Sequence, residues 1–521
     1  MKNLEKSCQN INSVKELDYK SIFDVFLIYT LNVLKVMMIG NNCKKMRALT
    51  ICLFILLTNP TLSGQELRNT LTGNIFNTLK NPFIMPKDEA GDPMPVFMDD
   101  LWHLYTLAGN LSVIHHFTSN DLINWTEHTP AMIGGDIATG TILKHEDKYY
   151  CFFTLASKQR LQLVISDNPW FFDRRYAIDL PGPDSRYINN HYRDCYVFYN
   201  EPDKKWWMLV ESAIPNVNDK FRSCIALLKS DDLINWTLSD PLFSPRRSWA
   251  SCPQLTLVGN KWYLTFLDRS TLYRVADTPF GPFKRGERWD YNNFLSDAGS
   301  RIATDGNRYF AWSFFGKRFS AEKMISGYGG PIAIGRELIF NNNVIWTKPI
   351  PEVIYAMKKA GSDEEFYSIT NILKGKWEVD PVMKALCSRD DEGGAIEFRL
   401  NNENYNFYFE CDIEVENQNM VADIILRGLK TGYRIGVYPK QKIFEIRDSR
   451  IENVYASTTY EFVDGKPINL KVFVMDDKLE VFLNDQINLS SYTLQLTSGL
   501  AIELYDSKGS IRNLFIHYFQ K

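Results

Sequence analysis

Five β-hairpins recur between residues 75 and 355, and this recurrence constrains the fold more than any other feature of the chain. In each hairpin a short apolar run, a polar turn and a second, aromatic-rich run follow one another. The turns fall near residues 99–100, 146–147, 200–203, 259–260 and 305–307. Strand pairs at such a spacing are typical of radial β repetition. We therefore predict an all-β protein in which residues 75–355 form a five-bladed β-propeller.

An eight-residue repeat supports this prediction. Residues 119–126 read SNDLINWT and residues 230–237 read SDDLINWT, so the two segments differ at one position. We interpret the repeat as structural, with its aspartate capping a turn and its tryptophan packing between blades.

A second domain is expected because 521 residues are too many for one ordinary core. Residues 356–375 read as a linker. From 376 to 521 short amphipathic strands continue, and they predict a concanavalin-like antiparallel β-sandwich.

The N-terminal 64 residues read as an extension and a signal peptide. A basic stretch, KKMR, precedes an apolar run over residues 48–57, and small residues follow at 61, 63 and 64. Such a run is too short to span a bilayer, and its position predicts Met46 as the true start. We expect a secreted or periplasmic protein with no stable membrane insertion after cleavage. The alternative is an uncleaved anchor formed by residues 22–39.

Composition and charge restrict the kinds of partner and cofactor that the protein is expected to bind. The net charge of −3 implies no nucleic-acid partner. The six cysteines after the signal region form no CxxC pair, so neither a metal nor another cofactor is expected. Twelve tryptophans and 26 tyrosines suit both β-sheet packing and stacking on sugars. The sequence leaves the oligomeric state open.

Five ordered motifs carry a resemblance to a known family. They are GDPMP with LWHLY at 91–105, RDC at 193–195, ASCPQL at 250–255, GGPIAIGREL at 329–338 and INLKVFVMDDKLEVFLND at 468–485. Together they resemble glycoside hydrolase family 32, the fructan-cleaving enzymes, over residues 80–521. Family 43 enzymes have the same propeller and a similar acidic trio, so they are the nearest alternative.

The resemblance implies a retaining carboxylate mechanism on an oligo- or polysaccharide, with Asp92 as the nucleophile and Asp194 as the transition-state stabiliser. The family's acid/base glutamate falls at Ser251, whose hydroxyl cannot protonate a leaving group near neutral pH. The fructan or furanoside preference also rests on the resemblance alone.

Hairpin register offers two replacements for the missing acid. If the third hairpin turns near residues 202–203, Asp194 faces Glu211. If the fourth turns at residues 259–260, Ser251 faces Asp268, and directly opposed residues lie about 4.5–5.5 Å apart. Glu211 and Asp268 are therefore candidate acids, with a surface or loop carboxylate as the alternative for each.

Substrate contacts are expected from six residues near these motifs: Arg193, Trp102, Thr139, Ser251, Gln254 and Asp136. Core packing is the alternative for Trp102, and a turn aspartate is the alternative for Asp136. Three functions follow. The first is a glycoside hydrolase with an altered acid, and the second is a propeller that binds glycan without cleaving it. The third is a transglycosylating or activated-substrate enzyme that needs little acid help.

Overall fold

The computed structural model describes residues 74–520 apart from short segments, namely 216–220, 246–248, 269, 287–289, 295–296, 317–326, 361–369, 381, 383, 399, 401–405, 416–418, 420, 428–431, 450–452 and 494–498. The predicted signal peptide and the start at Met46 lie outside the described residues. Within the described part of the chain, no helix is long and apolar enough to cross a membrane.

Five antiparallel sheets follow one another along the chain, and each is one blade of a propeller. Blade I contains β1 (Ile75–Asn77), β2 (Ala90–Met98), β3 (Leu101–Ala108), β4 (Val113–Ser119), β5 (Asn124–Glu127) and β6 (Met132–Ile133). Blade II contains β7 (Ile137–His145), β8 (Lys148–Leu155), β9 (Arg160–Ser166) and β10 (Ile178–Asp179), with a 3₁₀ turn at Arg174–Tyr176. Blade III contains β11 (Tyr192–Asn200), β12 (Lys205–Pro215), β13 (Phe221–Ser230) and β14 (Trp236–Leu238).

Blade IV contains β15 (Ser251–Val258), β16 (Lys261–Asp268), β17 (Ser270–Ala276) and β18 (Asp290–Phe294). Blade V contains β19 (Asp297–Thr304), β20 (Tyr309–Phe315), β21 (Arg336–Asn341) and β22 (Val344–Pro349). The first strands of the five predicted hairpins, β2, β7, β11, β15 and β19, contact one another in a closed ring. The five-bladed propeller is thus confirmed.

All five ring strands share one irregularity. Each has a register shift against the next strand of its blade, between residues 91 and 94, 138 and 141, 193 and 196, 251 and 254, and 298 and 301. A bulge of this kind bends the strand and re-aims a side chain. The backbone has φ values of 34° at Asp92, 56° at Asp194, 47° at Cys252 and 59° at Gly299. The bulges therefore recur at the same level around the central channel.

The sequence repeat forms two matching corners, before β5 and before β14. Asp121 accepts hydrogen bonds from the backbone and side chain of Asn124, and Asp232 does the same for Asn235. The indole of Trp125 packs against Trp312 of blade V, with ring centres 5.8 Å apart. The structural interpretation of the repeat is therefore correct.

The C-terminal residues form a sandwich of two sheets. One contains β24 (Trp377–Asp380), β25 (Ala385–Ser388), β27 (Phe407–Val415), β32 (Ile468–Met475), β33 (Lys478–Leu483), β34 (Ile487–Tyr492) and β36 (Gly509–Tyr518). The other contains β23 (Thr370–Lys374), β26 (Gly393–Phe398), β28 (Val421–Leu426), β29 (Tyr433–Tyr438), β30 (Ile443–Asp448), β31 (Val454–Thr459) and β35 (Leu500–Tyr505). Helix α1 (Pro351–Ala360) follows blade V, so the segment 356–375 contains the end of a helix and the first sandwich strand.

The propeller and the sandwich belong to one compact unit. Strand β18 of blade IV pairs in parallel with β34 of the sandwich. A mixed aromatic cluster joins the two parts, with the rings of Phe315 and Tyr492 centred 5.5 Å apart. Within this contact Glu480 of β33 forms a fully buried ion pair with Arg336 of β21.

Candidate active site

Asp92 lies in the bulge of β2, at one end of the central channel. Its carboxylate accepts a hydrogen bond of 3.0 Å from the hydroxyl of Tyr328. Burial raises the pKa of Asp92 to about 6, although the Tyr328 hydrogen bond and the charges of Arg301 and Arg193 act in the opposite direction. At neutral pH Asp92 is thus mainly an ionised carboxylate that a modest drop in pH would protonate.

Asp194 occupies the corresponding bulge of β11 and is buried. Burial is the largest cause that raises its pKa well above the ordinary value, followed by the charge of Glu211 and a hydrogen bond shared with the Glu211 carboxyl. The charge of Asp92 also raises the pKa of Asp194. Asp92, Asp194 and Glu211 therefore form one electrostatically linked site, in which burial and the neighbouring carboxyls favour the protonated form of Asp194.

Arg193 binds the two carboxyl groups of blade III. Its guanidinium donates to both oxygens of Glu211, through Nε at 3.2 Å and Nη2 at 3.0 Å, and lies 3.7 Å from Oδ2 of Asp194. A bidentate pair of this kind fixes both partners in one geometry. Arg301 supports the site from blade V, because it donates to the backbone carbonyl oxygen of Asp194 at 3.4 Å. Three carboxyls and two guanidinium groups thus meet here.

Ser251 begins β15 and is half-buried. The next residue, Cys252, places its thiol 3.6 Å from Oδ2 of Asp194, so Ser251 adjoins the carboxyl site. A serine hydroxyl donates and accepts hydrogen bonds but supplies no ionisable proton at neutral pH. The position that resembles the family's acid therefore carries no acid.

Tyr328 is a site residue that sequence reasoning missed. It lies 236 positions from Asp92 along the chain, immediately before the GGPIAIGREL motif. A side chain at Gly91 would overlap the Tyr328 ring, with Cε1 only 2.6 Å from the added carbon. The Tyr328 ring therefore needs a residue without a side chain at position 91. In the sequence, the glycine of the GDPMP motif is the feature that could have indicated a close neighbour at this position.

The register predictions for the candidate acids are wrong by one residue. Glu211 pairs with Arg193 rather than with Asp194, and Ser251 pairs with Leu267 rather than with Asp268. The cause is the bulge in each ring strand, which adds a residue that a regular hairpin lacks. Glu211 nevertheless joins Asp194, whereas Asp268 points to the strand face opposite Leu267.

Two predicted substrate contacts are core residues instead. Trp102 is buried between blades I and V, where its ring centre lies 5.0 Å from that of Phe310. Gln254 is buried and bonds both the amide and the carbonyl of Ile302, at 2.8 Å and 2.7 Å. Both side chains hold neighbouring blades together, so the predicted sugar contacts are corrected for these two.

Thr139 and Asp136 both belong to the start of blade II. Thr139 is buried in the bulge of β7. Asp136 accepts hydrogen bonds from the amide and hydroxyl of Ser157, at 2.6 Å and 2.8 Å, as a turn aspartate does. Their contact with a substrate stays a prediction, as it does for Arg193 and Ser251.

Fold and site together define a class: a five-bladed propeller with a clustered carboxyl site at one end of its channel, followed by a β-sandwich. Residues 93–347 match the model of the glycosyl hydrolases family 32 N-terminal domain. The propeller of this chain thus matches the N-terminal domain of family 32, and the resemblance seen in its motifs is confirmed.

Known proteins agree with this assignment. A levanbiose-producing levanase of Geobacillus stearothermophilus is 23% identical over 265 residues, which cover 44% of this chain and 56% of the levanase. An invertase of Schwanniomyces occidentalis is 26% identical over 259 residues, which cover 46% of this chain and 44% of the invertase. The chain therefore spans about half the length of these curated relatives.

A solved family 32 β-fructofuranosidase of Bombyx mori superposes with a TM-score of 0.61 at 15% identity, covering 85% of this chain and 95% of the enzyme. At this identity the likeness concerns the fold, and it includes both the propeller and the sandwich.

Proposed function

We propose that the protein is a secreted glycoside hydrolase that cleaves a fructan or another furanoside glycan by a retaining, two-step mechanism. The observation that carries the proposal is the linked carboxyl site of Asp92, Asp194 and Glu211. A retaining glycosidase needs one carboxylate that attacks and one carboxyl group that donates a proton. In this site Asp92 is ionised above pH 6, whereas burial and the neighbouring carboxyls raise the pKa of Asp194 and favour its protonated form.

Asp92 is the proposed nucleophile. Above pH 6 it is ionised, and the Tyr328 hydrogen bond fixes the orientation of its carboxylate. In the first step one Asp92 oxygen bonds to the anomeric carbon as the bond to the leaving-group oxygen breaks. In the second step water attacks that carbon, its proton passes to the carboxyl that protonated the leaving group, and the Asp92 carboxylate is released.

The Asp194–Glu211 pair is the proposed source of the proton that Ser251 cannot supply. Glu211 is fixed by its bidentate contact with Arg193, and burial together with the neighbouring Glu211 raises the pKa of Asp194 well above its ordinary value, so Asp194 is the proposed proton carrier of the pair. Two carboxyls that share a site titrate as a unit, and one of their pKa values is strongly raised. The pair therefore replaces a single acidic side chain at position 251.

Hydrolysis assays test this function directly. Purified protein is incubated with levan, inulin and sucrose, and released fructose is measured. Asp92→Asn should abolish release, whereas Asp99→Asn should not, because Asp99 lies in the turn at the far end of the same hairpin and pairs with Lys144. Equal activity of the Asp92→Asn variant and the parent would contradict the assignment.

Ser251 favours a second candidate function, a propeller that binds glycan without cleaving it. An activated aryl fructoside separates the two, because its leaving group departs without protonation. Release of the aryl group identifies an enzyme. Binding of glycan without release of the aryl group or of fructose identifies a binding protein. Secretion is tested separately by N-terminal sequencing of the protein recovered from the culture medium or periplasm.

A further inference from the structure

A cleft of about 1010 Å³ lies where blade V meets the sandwich. Strand β22, the outermost strand of blade V, contributes Val344 and Trp346, and the sandwich contributes the opposite wall. Asp92 and Asp194 are on ring strands, so the cleft is separate from the carboxyl site. Its volume is at the upper end of the range for a drug-sized ligand, which is room for several sugar units.

Aromatic rings line both walls of the cleft. Trp346 comes from the propeller, and Tyr460 and Phe462 come from the segment between β31 and β32. The rings of Tyr460 and Phe462 meet edge to face with their centres 4.8 Å apart, so each holds the other in place. Flat apolar surfaces held in this way suit the hydrophobic faces of pyranose or furanose rings.

Amide side chains form the polar part of the same cleft. The Tyr460 hydroxyl donates to Oε1 of Gln486 at 2.7 Å and accepts from Nδ2 of Asn484 at 2.9 Å. The backbone carbonyl of Gln486 accepts from the amide of Thr347 at 2.9 Å, which ties this network to the propeller. Gln441 lies at the rim of the cleft, and its side chain is exposed. This side chain forms no hydrogen bond with the residues that the structure describes. The cleft thus offers fixed and free amide groups beside its rings.

The charges of the cleft cancel. Lys442 pairs with Glu461 at 2.9 Å, and the other two charged residues of the lining are Asp464 and Lys466. Two cations and two anions favour neither a phosphate nor a polycation. The aromatic rings and amide groups of the walls suit a neutral ligand that is rich in hydroxyl groups.

We propose that this cleft is a second carbohydrate site that binds a neutral oligosaccharide. Because the cleft lies on the outer strand of blade V and the carboxyl site on the ring strands, the two sites can be occupied independently. The proposal rests on the proposed function only in its choice of fructose oligomers as the ligand.

Calorimetric titration of the full chain with inulin-derived fructo-oligosaccharides tests the proposal. The Asp92→Asn variant serves as the parent, so that no substrate is consumed. We expect two classes of sites. Adding Phe462→Ala should weaken one class about tenfold through the loss of one ring face and leave the other unchanged. Gln441→Ala, at the exposed rim, should weaken the same class without affecting folding.

A matched control is Tyr355→Ala, which removes an exposed aromatic ring from helix α1 outside the cleft. It should leave both classes unchanged. Thermal melting of each variant checks folding. Titrations of the Phe462→Ala and Gln441→Ala variants that superpose on the parent would overturn the inference.

The two proposals fail in different ways. If the wild type hydrolyses no substrate but binds oligosaccharide, and the cleft variants lose this binding, the proposed function is refuted and the second site is supported. Hydrolysis by the wild type, together with one class of sites that the cleft variants do not change, would support the function and refute the second site.

Discussion

The buried ion pair between Arg336 and Glu480 should dominate the coupling of propeller and sandwich. Both side chains are fully buried. Glu480 also accepts hydrogen bonds from the backbone amide of Ile334 at 2.9 Å and from the hydroxyl of Ser490 at 3.0 Å. A Glu480→Ala variant therefore leaves a buried guanidinium without this partner and breaks two further hydrogen bonds.

The expected loss follows from these contacts. Removing one partner of a buried pair costs about 3–5 kcal/mol, and the loss of two charge-assisted hydrogen bonds to the same carboxylate places Glu480→Ala at the upper end of that range. We predict that Glu480→Ala lowers the free energy of unfolding by about 5 kcal/mol, measured by guanidinium titration. The double variant Arg336→Met with Glu480→Leu should recover most of this loss, because no uncompensated charge stays buried.

An exposed pair provides the control. Asp231 contacts Lys205 at 2.8 Å on the propeller surface, with 77% of its side chain accessible, so Asp231→Ala should cost less than about 1 kcal/mol. If Glu480→Ala and Asp231→Ala lose the same free energy, or if the double variant is as unstable as the single one, the buried pair does not stabilise the fold in this way.

Two further predictions concern pH. Burial lowers the pKa of His103 and His128 to about 4 and that of His116 well below its ordinary value, so the three are neutral in the fold and protonated in the acid-unfolded chain. Between about pH 6.5 and pH 4 His103 alone should cost about 3 kcal/mol of stability, read as the difference between the wild type and His103→Asn because protonation of Asp92 acts in the opposite direction; a difference in urea midpoint that stays constant over this range would contradict this. Tyr328→Phe removes a hydrogen bond that stabilises ionised Asp92, so the pKa of Asp92 should rise. The acid limb of the kcat/KM profile should then move up from about pH 6 by about one unit. An acid limb that does not move would show that the Tyr328 hydroxyl does not set this pKa.

The fold was predictable because its signals are local. Each hairpin carries its own turn, and the turn at residues 259–260 lies where the structure has it. The corner aspartates Asp121 and Asp232 bond residues only two or three positions away. Such contacts join residues that are close in the sequence, so short sequence patterns predict them. The family motifs then give the order of the hairpins along the chain.

The site was predictable only in part. The motifs placed Asp92, Asp194 and Ser251 correctly at the ring strands. The register of Glu211 and Asp268 was missed because a bulge leaves no clear mark in a sequence of alternating residues. Tyr328 was missed because its contact with Asp92 joins blade I to the segment after β20, and no local pattern reports a contact of that separation.

If the Asp194–Glu211 pair supplies the proton that Ser251 cannot, the rate of a Glu211→Gln variant should depend strongly on the leaving group. We expect this variant to hydrolyse levan about 10²–10⁴-fold more slowly than the wild type, yet to hydrolyse an activated aryl fructoside at nearly the wild-type rate. Ser251→Ala should change neither rate by more than a few-fold. Equal losses on both substrates, or a large loss on levan in Ser251→Ala with none in Glu211→Gln, would contradict this role of the pair.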